Sequence, residues 1–361
     1  MKRAVICSLN PERFAAELPD YSIMIIDPAA PAARLRYLLD RADYSLLITD
    51  TETRERNGGD YPGERLLWAT SGTTGDSKFC SYTQEQLDIK SDTIIKDYEL
   101  TANDRYVGIM PLWHAQGQAF YWATKKVACE CHFLPVKRIK EIQQYSPTFL
   151  TGFPDLIGLT SRFVFDSLRF IRTGSAPLPD SQYLAFRDHF QVPVLEGFGM
   201  TETLSHCFTN PLRGEQRMGT IGLPTGIQAD IRDGQLWLQG PTVFQPGWYA
   251  TGDLAEMDAA GYYKITGRYR DQINIRGIKF NPVSLENQLT KAIPALRECV
   301  IFGSDSINCL YTGEVHPDLV RQTLIGIDPI LRPAHLEQLA TEIPKTPAGK
   351  ISRTWLTKNY S

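Results

Sequence analysis

The chain lacks any long apolar run. No stretch approaches the roughly 20 residues a membrane helix needs, and the start, Met1-Lys2-Arg3-Ala4-Val5-Ile6-Cys7, turns polar too soon for a signal peptide. It also lacks a charge excess. The 38 Lys and Arg stand against 41 Asp and Glu, a net charge of −3, which argues against nucleic acid or a membrane surface as partner. There is no cysteine framework either. The seven cysteines are odd in number, and the single close pair, Cys129-Glu130-Cys131, has no second pair to complete a zinc site. Reduced thiols in a cytoplasmic protein are expected. Internal repeats and low-complexity tracts are absent as well. What is present is 361 residues, 42% of them apolar, enough for two or three domains with sizeable cores.

Residues 21–27 (YSIMIID) and 44–49 (YSLLIT) read as short buried strands. Between them, residues 31–42 have helical spacing, with Leu35, Leu38 and Leu39 on one face. This strand–helix–strand rhythm predicts an α/β domain with parallel strands. Residues 51–63 are polar and Gly-rich, a loop. Residues 66–70 read as a strand, and alternating strands and helices continue from Asp104 to Ser175. Residues 220–266 instead show short strands with tight turns, Asp233-Gly234 among them, which predicts a small antiparallel unit. Farther on, 282–293 and 333–340 read as helices, and 298–303 and 308–313 as strands. The expected architecture is α/β: a large N-terminal domain of α/β subdomains plus the antiparallel β unit, residues 1–268. A small C-terminal α+β domain follows, residues 269–361.

The stretch Ser71-Gly72-Thr73-Thr74-Gly75-Asp76-Ser77-Lys78 follows the strand at 66–70. A Walker A loop needs G-x-x-x-x-G-K-[ST]. Here the two glycines are three apart, Lys78 comes three later, and Phe79 follows, so this is not a P-loop NTPase. Gly-rich backbone amides and hydroxyls still suit a phosphate, as they also suit an ordinary turn after a strand.

Further motifs follow in order: Gly174-Ser175-Ala176-Pro177-Leu178, Glu196-Gly197-Phe198-Gly199-Met200-Thr201-Glu202-Thr203 after a strand, Tyr249-Ala250-Thr251-Gly252-Asp253, Gly267-Arg268-Tyr269-Arg270, and Pro344-Lys345-Thr346-Pro347-Ala348-Gly349-Lys350-Ile351-Ser352-Arg353. Together they resemble the adenylate-forming superfamily: acyl-CoA synthetases, peptide-synthetase adenylation domains and luciferases. The resemblance implies ATP-dependent activation of a carboxylic acid to an acyl-adenylate with release of pyrophosphate, followed by transfer to a second nucleophile, often a thiol. ATP and Mg²⁺ are the implied cofactors; CoA is left open.

The resemblance also assigns roles. Lys350 would be the adenylation lysine, a mobile point charge between carboxylate and α-phosphate. Thr201 would touch that phosphate, and Glu202 would help hold Mg²⁺. The nucleotide would be held by Ser71, Gly72, Thr73, Thr74, Gly75 and Lys78, by Gly174, Ser175 and Ala176, and by Glu196, Gly197 and Phe198. Asp253 and Arg268 would reach ribose or phosphate. His114 and Gly199 would lie beside the acid, and Arg270 would mark the hinge. Each has a plain alternative: a solvated tail lysine, a helix-capping Thr-Glu pair, a core Phe, a turn Asp, a surface Arg, a structural His.

Four departures from the family pattern stand out. Only about 65 residues precede the phosphate loop, so part of the N-terminal subdomain is expected to be missing. The loop ends Ser77-Lys78-Phe79 rather than Pro-Lys-Gly, the hinge residue is Arg270 rather than Asp or Lys, and the segment from Thr203 to Asp253 is short. Gly277 matches the glycine of the thiol-transfer face, but Asn274 stands where a lysine is frequent. The reduced size is similar to adenylating proteins of phenazine antibiotic biosynthesis. That likeness implies an aromatic acid, a phenazine carboxylate included, handed to a downstream reductase or acyl acceptor. Trp113, Phe149, Phe153 and Phe198 would then form a flat pocket, or else belong to the core. A thioester-forming ligase and a non-catalytic, ligand-binding member remain the alternatives.

Overall fold

Apolar strands on either side of an amphipathic helix start the chain. In the computed structural model, which describes residues 1–15, 17–70, 78–344 and 351–360, these elements are β1 (Lys2–Cys7), α1 (Glu12–Ala15), β2 (Tyr21–Ile25), α2 (Ala32–Ala42) and β3 (Leu46–Thr49). They are followed by β4 (Thr53–Glu55), β5 (Glu64–Ala69) and β6 (Phe79–Thr83). The six strands form one sheet in the order β4-β3-β1-β2-β5-β6, parallel through β3, β1, β2 and β5 and antiparallel at both edges. Strands covered on both faces need continuous apolar runs, and Ala4, Val5, Ile6, Ile23, Met24 and Ile25 are all buried. The expected loop at 51–63 is corrected in part: Thr53–Glu55, exposed, pairs with β3 as an edge strand.

At the other edge, β5 and β6 pair down to Ala69 and Phe79. The Thr70 N–H then donates to Lys78 O (2.8 Å), and the Lys78 N–H to Thr70 Oγ1 (3.0 Å). The two ends of the expected phosphate loop are therefore fixed by a strand pair.

After α3 (Gln84–Tyr98), which opens with a capping box between Thr83 and Gln86, a second sheet is built. Its elements are β7 (Arg105–Gly108), α4 (Ala115–Lys126), β8 (Glu130–Phe133), β9 (Phe149–Gly152), α5 (Pro154–Gly158), β10 (Phe170–Thr173), α6 (Asp180–Phe190), β11 (Val194–Met200), β12 (Ser205–Thr209) and β13 (Leu223–Pro224). The order is β13-β12-β11-β10-β9-β7-β8, parallel from β8 to β11. One face stacks Tyr106, Phe149, Phe170 and Tyr98 at centroid spacings of 4.9, 5.1 and 5.0 Å. Phe149 is thus core rather than pocket lining, and Phe153 packs on the apolar cluster around Leu156 and Phe186. Large flat rings in a parallel sheet find their burial against one another.

The next four strands, β14 (Gln228–Arg232), β15 (Gln235–Gln239), β16 (Tyr249–Met257) and β17 (Tyr263–Arg268), are neighbours in that order. Asp233 and Gly234 have φ of 50° and 76°, the left-handed pair that a tight hairpin turn requires.

Two compact units result. The first comprises Met1–Ala229, Leu238–Tyr249 and Met257–Lys264; the second Asp230–Trp237, Ala250–Glu256 and Ile265–Ser361. The second continues with the hairpin β18 (Ile273–Ile275) and β19 (Ile278–Phe280), then α7 (Pro282–Ala292), β20 (Leu296–Phe302), β21 (Ile307–Gly313), α8 (Pro317–Ile327), β22 (Pro333–Gln338) and α9 (Arg353–Asn359). The helix expected at 333–340 is instead β22, running parallel to β21 with Cys309 opposite Leu336. Pairing with a distant strand overrides local helical spacing. Ile343 and Leu356, on either side of residues 345–350, are fully buried with Val300, Phe302 and Leu310. All seven cysteines are free thiols, and burial pushes Cys80 and Cys129 up to about 12.

Candidate active site

Strand β11 carries Glu196 to Met200, so the first five residues of the Glu196–Thr203 motif lie within the strand rather than after it. The chain then makes a 3₁₀ turn, Thr201–Thr203, closed by Leu204 at φ 53°. Two contacts fix this turn through its backbone. The Tyr82 hydroxyl donates to Thr201 O at 2.6 Å, and the Phe244 N–H donates to Glu202 O at 3.0 Å. The side chains of Thr201 and Glu202 are left half-buried.

The Glu202 carboxylate accepts from the Tyr249 hydroxyl at 3.3 Å, and that hydroxyl accepts from the Lys78 ammonium at 3.3 Å. Lys78 Nζ also lies 5.2 Å from the Tyr249 ring centre and 5.8 Å from that of Phe244, within cation–π range. Lys78, Thr201 and Glu202 are thereby brought together. A carboxylate and an ammonium joined through a neutral phenol offer a hard cation one ligand and a phosphate one counter-charge. A magnesium ion is held by one or two carboxylates and completes its shell with substrate phosphates and water. Glu202 fits that donor set; among the described residues there is no three-carboxylate or histidine cluster that would take a metal unaided.

Ser71, Gly72, Thr73, Thr74, Gly75 and Lys350 lie outside the described residues. His114 is exposed at the start of α4, where its Nδ1 accepts from the Gln116 N–H (3.4 Å). That contact caps the helix through one ring nitrogen. Ser175 meets the same turn: it adopts φ 67° and its hydroxyl donates to Gln116 Oε1 at 2.9 Å. Ala176 beside it is exposed.

Gly174 and Gly197 are explained by packing. A Cβ on Gly174 would sit 2.5 Å from Gly197 O and 2.6 Å from Arg172 Nη1, and one on Gly197 would sit 2.6 Å from Phe208 O. Arg172 is itself almost fully buried. Gly199 is more constrained still, since its Cβ would fall 1.2 Å from Ser205 O. Phe198 is half-buried, edge-on to Phe208 at 6.0 Å. Glu196 is buried, and burial pushes its carboxyl up to about 7. Asp180 pushes the same way, against the Leu178 N–H, Arg172 and Lys264.

In the second unit, Asp253 is buried on β16 and pairs with Arg268 (2.9 Å), whose own side chain is half exposed. The turn-Asp alternative therefore fails, and the structure brings these two residues together. Arg270 is exposed on the 3₁₀ turn Tyr269–Asp271, with its Nε 3.7 Å from Asp271. Arg276 and Gly277 form the β18–β19 turn, where Asn274 Oδ1 accepts from the Gly277 N–H (2.9 Å).

The first unit also holds a cavity of about 460 Å³, within the range of small-molecule sites. Its walls include Met24, Ile26, Arg34, Trp68, Trp113 and Thr201. Trp113 is the one ring of the expected aromatic pocket that reaches it.

The sequence pattern of AMP-binding enzymes matches residues 66–246, which contain the Thr201–Glu202 turn, Lys78 and the glycine motifs. The chain belongs to the AMP-binding enzyme family. Within this family it is 28% identical over 336 residues to the sulfoacetate–CoA ligase of Cupriavidus necator, covering 80% of this chain and 65% of that protein. It is 26% identical to the oxalate–CoA ligase of Arabidopsis thaliana, covering 87% of this chain and 70% of that protein. The chain thus spans about two thirds of the length of these curated relatives. The fold is similar to that of ATP-bound MatB from Rhodopseudomonas palustris, with a TM-score of 0.84 at 19% identity over 100% of this chain and 89% of that one. No helix among the described residues is long and apolar enough to cross a membrane.

Sequence reasoning passed over three residues. Tyr249 stood inside a quoted motif without a role, and its hydroxyl links Lys78 to Glu202. Arg353, quoted beside Lys350, grips Glu286 through two contacts of 2.7 Å. Arg34 carried no motif at all.

Proposed function

We propose that this AMP-binding family member activates a carboxylic acid with ATP. A carboxylate oxygen attacks the α-phosphorus, the bond to the β-phosphate oxygen breaks, and pyrophosphate leaves with its electrons, giving an acyl-adenylate. What carries the reading is the pinned Thr201–Glu202 turn, with Lys78 reaching Glu202 through Tyr249, inside the matched family segment. The step brings two anions together, so its barrier falls when fixed positive charge awaits them. Magnesium, held by Glu202 and the phosphates, would supply part of that charge. Lys78 orients toward phosphate, Thr201 hydrogen-bonds the α-phosphate, and Lys350 bridges carboxylate and phosphate. Asp253, with Arg268 beside it, accepts from the ribose hydroxyls. In this reading residues 1–268 hold ATP and acid, and residues 269–361 bring Lys350 with Arg270 as the hinge.

The relatives named as CoA ligases favour a second reading that continues the first, transfer of the acyl group to a thiol. The acid is proposed to be flat and aromatic, a phenazine carboxylate included, because two indoles line the cavity. Its adenylate would pass to a reductase or acyl acceptor.

The test is exchange of labelled pyrophosphate into ATP across aliphatic, aromatic and amino acids. Acid-dependent exchange is expected, and Lys350→Ala should lower it by about 100-fold or more while calorimetric ATP binding persists. ATP and acid binding without exchange would assign the chain to the non-catalytic alternative.

A further inference from the structure

Arg34 is the cationic side chain on a cavity wall that is otherwise largely apolar. It sits on the first turn of α2, half-buried. Its Nη2 donates to Thr70 O at 3.1 Å, and its guanidinium carbon lies 5.6 Å from the Tyr37 ring centre. A guanidinium has five N–H donors, and among the described residues no carboxylate pairs with this one. Trp68, Trp113, Met24 and Ile26 on the same cavity give its charge no compensation, and a partly desolvated charge is costly until an opposite charge meets it. Asp27 also lines the cavity. Its Oδ1 accepts from the Ala29 N–H at 2.9 Å, a turn in which the carboxylate bonds to its own backbone two residues on, and it makes no ion pair with Arg34.

We propose that Arg34 recognises a second acidic group on the substrate, so that the acid turns one carboxylate toward the α-phosphate bound at Thr201 and another anionic group to the guanidinium, both residues lining the same cavity. The planar fork of arginine matches a carboxylate or sulfonate through two parallel hydrogen bonds. The acids in the names of the two curated relatives, sulfoacetate and oxalate, each carry two acidic groups, and the cavity is roomy enough for a longer or flatter member of that class. This inference rests on the adenylation reading for the role of Thr201, but the recognition itself can be measured without turnover.

The experiment uses the full chain and matched acids: pentanedioate against pentanoate, and benzene-1,4-dicarboxylate against benzoate. Calorimetric binding is measured beside pyrophosphate exchange. The intact protein should prefer the diacid by about tenfold or more. Arg34→Gln should bring the diacid-to-monoacid ratio close to one, and Arg34→Lys should hold an intermediate ratio. A wild-type ratio near one overturns the proposal without any variant. So does an Arg34→Gln protein that binds both acids equally weakly at an unchanged ratio, since Arg34 would then serve only to hold Thr70. Diacid preference in binding with no exchange for any acid would leave the recognition standing and remove the adenylation reading instead.

Discussion

In the second unit Glu286 and Arg353 face each other through two contacts of 2.7 Å, and in the first Glu202 and Lys78 share a neutral phenol, Tyr249, 3.3 Å from each. The Glu286 pair is largely buried. Glu286 also accepts from the Ile301 N–H (2.7 Å), while Arg353 Nε donates to Ile301 O (3.0 Å). The Glu286 carboxylate and the Arg353 Nε and Nη2 are engaged with each other and with Ile301, three residues from Lys350 in sequence, and Arg353 Nη1 lies 3.6 Å from Asp271. Charges that cancel each other this closely hold a chain in place and have little field left for a ligand. Glu202 and Lys78 are positioned by hydroxyls, rings and backbone, which leaves their charge uncancelled by one another. The difference separates charge used to build from charge kept for binding.

The largest test of that distinction removes one partner of the buried pair. Arg353→Ala leaves Glu286 buried without its cation and should cost about 3–5 kcal/mol of unfolding free energy, read by denaturant titration of the full chain. Glu202→Gln should leave the unfolding transition nearly where it was, because Tyr82 and Phe244 hold its turn through backbone atoms. It should lower acid-dependent exchange by about 100-fold. Equal destabilisation by both substitutions would erase the comparison.

Glu196 sits between the two cases, a buried carboxyl that feels Arg172 and Lys264 but makes no ion pair among the described residues. Burial holds it at about 7 against an ordinary 4.5, so the folded state keeps the proton longer than the unfolded chain does. Below pH 4.5 both states are protonated and stability does not change on this account. As pH rises from 4.5 to 7 the unfolded chain gains a charge that the folded state resists, and stability falls, levelling above 7 after a loss of about 3 kcal/mol. Glu196→Gln should flatten that slope and leave the protein more stable than wild type at pH 8. An unchanged slope would mean that Arg172 already neutralises Glu196 in the fold.

These residues also mark how far the sequence could be read. Three of the six strands of the first sheet, β2, β3 and β5, were legible because strands buried on both faces write themselves as apolar runs, whereas β1, β4 and β6 were not. Asp233-Gly234 was legible because left-handed backbone at two consecutive positions selects few residue types. Strand β22 was not, since its pairing partner lies about 25 residues away and its own spacing mimics a helix. The absence of a side chain at Gly197 and Gly199 is also required by Phe208 O and Ser205 O on the neighbouring strand. Contacts of that kind exist only after folding. His114 is similar: its cap contact with the Gln116 N–H depends on where α4 begins, which the motif does not state. Arg34 shows the reverse, a cavity-lining residue with no local signal.

The smallest effect is the most discriminating, because Tyr249 belongs to the link itself. Tyr249→Phe keeps the ring, its edge contact with Phe244 at 5.4 Å and the aromatic surface under Lys78. It removes only the hydroxyl that accepts from Lys78 and donates to Glu202. Two hydrogen bonds of 3.3 Å are long, and a net loss of about 1 kcal/mol is expected, roughly fivefold. If the phenol serves to position charge for a ligand, that fivefold should appear as a higher ATP–magnesium concentration at half-maximal exchange, with the melting temperature held. If it serves only to brace the fold, the melting temperature should fall and the concentration dependence should stay. The two charges would then be no more committed to a ligand than Glu286 and Arg353 are.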